Sequence, residues 1–151
     1  MKHKSQNLTV MEKKIIRRLK INSVTAIIWF VLGIMAYLSL TFMPKEALDN
    51  LPPDDSRMIY TLPQWFYVSY SVAVFAGFIG SVALFLQKKI SILFFGLSLL
   101  GTLGILYYKF TIDMRTFIYG SPNTILAICV LIVVIGLLVY SYNLKKKGVL
   151  I

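Results

Sequence analysis

Residues 64–112 read QWFYVSYSVAVFAGFIGSVALFLQKKISILFFGLSLLGTLGILYYKFTI. Two apolar runs of more than twenty residues each are separated only by Lys88 and Lys89. A helix rises about 1.5 Å per residue, so roughly 20 apolar residues cross a hydrocarbon core of about 30 Å. Each run is therefore long enough to span. The polar break leaves no chain for an excursion into water, so the pair reads as an antiparallel helical hairpin.

Working outward, two further stretches have the same character. The sequence predicts membrane-spanning helices at about 21–43, 64–87, 90–112 and 121–142. Little chain remains between them, so residues 1–151 read as a single all-α domain, an integral membrane four-helix bundle. A hydrophobic content of 58% and a mean hydropathy of +0.75 lie outside the range of soluble domains.

A net charge of +10 raises the question of nucleic acid, but its placement argues for a membrane. Twelve of the sixteen Lys and Arg fall in the N-terminal segment (Lys2, Lys4, Lys13, Lys14, Arg17, Arg18, Lys20), the Lys88–Lys89 turn and the Lys145–Lys147 tail. Four spans put those three places on one side, and the positive-inside rule makes that side cytoplasmic. The expectation is a multi-pass protein of a bacterial inner membrane with both termini cytoplasmic and no nucleic-acid partner. Lysine outnumbers arginine twelve to four, which fits a low-GC bacterial genome.

The first apolar run resembles a signal peptide only superficially. Its length exceeds a hydrophobic region of 7–15 residues, and no small-x-small cleavage pattern precedes Pro44, so it reads as a retained anchor. Residues 1–7 are polar and read as an unstructured lead. Leu8, Met11, Ile15 and Leu19 then recur three or four apart among Lys13, Lys14, Arg17 and Arg18. That spacing predicts a basic amphipathic helix over 8–20, lying on an anionic surface before the chain turns into the bilayer.

The sharpest local pattern lies in the second span. Ser69, Ala73, Gly77 and Ser81 recur at every fourth position, with Ala76 and Gly80 beside them. Small residues four apart allow two backbones to approach closely in lipid, so these six form the expected helix-packing face. Gly96, Ser98, Gly101 and Gly104 of the third span are its natural complement.

Residues able to carry chemistry are few. The only histidine is His3, and the single cysteine, Cys129, lies in the fourth span, so Ser–His and Cys–His catalysis are not expected. No phosphate-binding or dinucleotide-binding glycine motif occurs. Glu46, Asp49, Asp54 and Asp55 form an acidic loop without the spacing of a calcium site, and read as solvated charge. Lys109, four residues before Asp113, reads as a cation snorkelling to the interface. Trp65, Tyr70, Tyr107 and Tyr108 belong to a larger set of aromatics at the same end, either an interfacial belt or a ligand site. No catalytic residue, cofactor or metal is expected.

The segments Leu62-Pro63-Gln64-Trp65, Gly77-Phe78-Ile79-Gly80-Ser81 and Phe94-Phe95, with Trp29 and Gly33 in the first span, resemble a family of small bacterial four-helix membrane proteins. These have a Pro-x-Trp entry to helix 2, a Gly-x-x-Gly-Ser motif within it and Trp-Asn-x-x-Gly in helix 1. Phe30 stands where that asparagine would be, which removes the polar group. Some members carry the label "sugar transporter". The resemblance implies the same fold. The residues themselves lead to two expectations. One is a non-enzymatic subunit or scaffold that packs with itself or another membrane protein; the other is a small solute transporter or channel working as an oligomer.

Overall fold

The computed structural model describes residues 2–50, 59–111 and 122–150, with side chains for 13–47, 49–50, 59–111 and 125–150. Asp54, Asp55 and Asp113, named above, lie outside the described residues, as do Phe117 and Tyr119 of the aromatic set at that end. Among those described, the chain is all-helical: α1 (Lys2–Thr41), α2 (Lys45–Asp49), α3 (Gln64–Phe85), α4 (Ser91–Thr111) and α5 (Pro122–Lys146). Four of the five, all but the short α2, are long and apolar enough to cross a membrane. This is the architecture of a multi-pass membrane protein.

The ends of α3 and α4 fall within two residues of the sequence expectation, whereas α1 and α5 differ more. α1 continues without a break from Lys2, so the amphipathic stretch is the first part of one long rod and does not turn at residue 20. Residues 2–7 are helical rather than an unstructured lead. No glycine or proline interrupts the chain before Gly33, and most of the intervening residues tolerate a helix well. At about 1.5 Å per residue the 40 residues of α1 reach about 60 Å, twice a hydrocarbon core. α5 likewise runs on to Lys146 instead of stopping at 142.

The hairpin between α3 and α4 closes through a C-terminal cap in which Gln87 adopts a left-handed conformation, φ 59°. The Lys88 amide donates to Ala83 O at 2.8 Å and the Gln87 amide to Leu84 O at 2.9 Å, the paired bonds of a Schellman motif. α5 ends in the same way at Gly148, φ 69°. There the Val149 amide donates to Leu144 O at 3.1 Å and the Gly148 amide to Lys145 O at 3.0 Å. The reversal folds the last residues back, so that Val149 packs against the core and Leu150 is buried.

Packing runs α1 on α3, α3 on α4 and α4 on α5, with the α3–α4 pair the most extensive. α1 and α3 are antiparallel: Phe30 lies against Gly77, Gly33 against Val74 and Tyr37 against Tyr70. Leu19, Leu84, Leu144 and Leu150 join Phe30, Phe95 and Val134 in one buried cluster, with Ile15 and Val149 against it. Ile15 and Leu19, read from the sequence as a lipid-facing stripe, therefore pack on the protein itself. Lys13, Lys14, Arg17, Arg18, Lys20, Lys88, Lys89 and Lys145–Lys147 stay exposed around this end.

Candidate functional site

The described chain carries two candidate features: the small-residue seams of α3, and an aromatic cluster at the end opposite Lys88 and Lys89.

Ala73, Ala76, Gly77, Gly80 and Ser81 are buried, and Ser69 is half-buried. They do not face one partner. Gly77 receives the ring of Phe30 from α1, and a Cβ added there would fall inside that ring. Gly33 of α1 sits opposite Val74, where a Cβ would lie 3.2 Å from Cγ1. Ser69, Ala73 and Gly80 turn to α4. A Cβ on Gly101 would stand 2.6 Å from both Ala73 N and Ser69 O, and one on Gly104 would stand 2.7 Å from Ser69 Oγ. Gly80 accommodates Phe95, whose Cδ1 would be 3.1 Å from an added Cβ. Of the expected complement, Gly96 takes no part, because nothing lies within 4 Å of where its Cβ would be.

Ser98 ties the α3–α4 seam. Its Oγ donates to Ala73 O at 2.6 Å, an interhelical bond made possible by the close approach at Gly101. Most other buried hydroxyls serve their own helix: Ser23 donates to Leu19 O, Ser81 to Gly77 O and Thr102 to Ser98 O, at 2.8, 2.8 and 2.9 Å. Such bonds satisfy a hydroxyl in an apolar medium without a neighbour. Ser91 Oγ and Ser141 Oγ are buried without a hydrogen bond among the described residues.

Ser91, Phe95, Ser98, Thr102, Ile105 and Lys109 are spaced four and three apart along α4, a seven-residue repeat that holds one face inward. Lys109 belongs to that face and is only 5% exposed. The snorkelling reading is therefore corrected. At this register Lys109 is covered by the protein, and its seven-residue relation to Thr102 was the available signal.

At the same end, rings from three helices interlock. Trp65 meets Tyr108 edge-on at 5.8 Å and Tyr107 at 6.3 Å; Phe66 meets Tyr108 at 5.0 Å and Tyr70 at 6.2 Å. Tyr37 of α1 extends the cluster to Tyr70 at 5.5 Å and Phe75 at 6.0 Å. Edge-to-face pairs of this kind add about 0.5–1.5 kcal/mol each beyond area burial. Trp65, Tyr70, Tyr107 and Tyr108 are thus joined, with buried Phe66, a member of the wider aromatic set but not of these four, as the hub. Tyr107 and Trp65 keep exposed edges, 63% and 40%.

Among the described residues no three His, Cys, Asp or Glu come together. Cys129 is exposed on α5. No family model, curated protein or solved structure matches this chain. The likeness noted at Pro63-x-Trp65 and Gly77-x-x-Gly80-Ser81 therefore rests on those residues alone.

Proposed function

We propose that the chain is a small, non-enzymatic subunit or scaffold of a bacterial inner membrane, with both termini cytoplasmic, that packs with itself or another membrane protein. One observation carries the reading. The apolar windows of α1 and α5 bury 11% and 17% of their residues within the chain, against 44% for α3. α3 turns nearly half of its window to internal packing, whereas α1 turns little of its own inward and offers Val24, Ile28, Val31 and Met35 outward, all exposed. A photo-crosslinker at Ile28, and separately at Ile132, tests this in native membranes. A defined protein adduct at either position supports it; lipid adducts alone at both overturn it. For orientation, cysteines at Ser5 and Gly148 in a Cys129→Ser background should be shielded from an impermeant thiol reagent in intact cells, and one at Ser56 labelled. The reverse pattern inverts the topology.

The transporter reading has one observation in its favour, the inward file of Ser91, Ser98, Thr102 and Lys109, all buried. Ionisable groups inside a bundle mark solute or proton pathways often enough to warrant a test. Uptake of labelled sugars into proteoliposomes, lost in Lys109→Met, would select this reading over the scaffold.

A further inference from the structure

α1 and α5 approach across a groove instead of a close helix–helix seam. Asn22, Thr25, Ala26 and Trp29 form one wall, and Val133, Gly136, Leu137 and Tyr140 the other, around about 410 Å³. We propose that this groove holds one acyl chain of an anionic phospholipid from the leaflet at the basic end, with the phosphate at Arg18.

Length decides against a helix as the occupant. Asn22 to Trp29 is seven residues, about 10 Å of rise, and Val133 to Tyr140 is the same. A transmembrane partner needs a track along the full core of about 30 Å. This groove reaches through no more than one leaflet, the depth of a lipid tail. Its polarity is graded in the same sense. Asn22 stands at the basic end, where ester and glycerol oxygens would lie. Farther in, the Thr25 hydroxyl is already bonded to Ile21 O at 3.1 Å, leaving an apolar floor.

The rim is complementary to a phosphate. Arg18 precedes Asn22 by four residues, so it projects from the same face of α1 one turn nearer the end, and it is exposed. Lys147 lies two turns beyond Tyr140 at the end of α5 and is also exposed. Two other cations of this end lie over rings: Lys20 Nζ is 6.0 Å from the Phe85 ring centre and Lys146 Nζ is 4.9 Å from that of Tyr142. A guanidinium can hold a phosphate through two parallel N–H bonds. The site requires only that α1 and α5 cross a bilayer, so it stands apart from the scaffold reading.

Gly136 provides the test, because it lines the groove and a Cβ added there would meet no neighbouring atom within 4 Å. The full-length protein in detergent is titrated with dioleoylphosphatidylglycerol or dioleoylphosphatidylcholine, and its melting temperature followed. The expected result for the parent is a rise of several degrees, larger with phosphatidylglycerol. Gly136→Leu should lose the rise with both lipids, and Arg18→Gln should respond equally to the two. A Gly136→Leu protein stabilised like the parent, or an Arg18→Gln protein that keeps the parent's preference, overturns the proposal. Arg18 is exposed, so its variant keeps the test open should Gly136→Leu fold poorly. Disulfide-linked dimers from Gly136→Cys in a Cys129→Ser background would place a second copy in the groove and overturn it as well.

Discussion

Phe30 of α1 seats its ring in the hollow left by the absent side chain of Gly77 on α3. The ring is buried at 2% exposure, and it fixes both the distance and the register of the α1–α3 pair. Helices in lipid gain little from hydrophobic sequestration, so such shape fits supply much of the contact energy.

Gly77→Ala should therefore destabilise the bundle by about 1–3 kcal/mol through overpacking. Phe30→Leu added to it should recover part of the loss, and the coupling between the two should exceed about 0.5 kcal/mol. Gly96→Ala serves as the control, because its Cβ meets nothing within 4 Å. Thermal melts in detergent would measure both single variants, the double variant and the control. Additive effects of the two substitutions would remove the ring-in-hollow account.

Gly101→Ala should be the most damaging alanine substitution at a glycine. Its Cβ would meet Ala73 N and Ser69 O at 2.6 Å, and backbone cannot swing aside. Gly104→Ala meets Ser69 Oγ at 2.7 Å, which rotation of that serine can relieve in part. The melting temperature of Gly101→Ala should fall well below that of Gly104→Ala. Equal melting temperatures would mean that the α3–α4 contact is looser than described.

Two buried serines should respond oppositely to alanine. Ser98→Ala deletes the bond to Ala73 O and should cost about 0.6 kcal/mol, the average for such bonds between membrane helices. Ser141→Ala removes a buried hydroxyl that makes no bond among the described residues, and should be neutral or stabilising. Chemical unfolding in mixed micelles can resolve the sign. A larger loss for Ser141→Ala than for Ser98→Ala contradicts the pairing.

Gln87 holds a left-handed conformation that glycine adopts without strain. Gln87→Gly should raise stability by about 1 kcal/mol, the relief expected when a side chain leaves this region. The same change at Lys88, which follows in the turn, should give no such gain. Melting-temperature differences between the two variants check this directly.

The existence of four spanning helices was legible from the sequence, because length and hydrophobicity are properties of each segment alone. The burial of Ala73, Ala76, Gly77, Gly80 and Ser81 was also legible, since periodicity assigns them to one side of α3. Which neighbour each would meet was not. Only the tertiary structure decided that Gly77 faces Phe30 while Ala73 faces Gly101, because that depends on the register of two helices at once. The tertiary structure alone also carried α1 straight past residue 20, turned Ile15 and Leu19 onto the protein and buried Lys109. Hydropathy distinguishes apolar from polar surroundings. It carries no information about whether an apolar side chain at the membrane boundary rests on lipid or on the protein's own helices, since the two environments are alike to it.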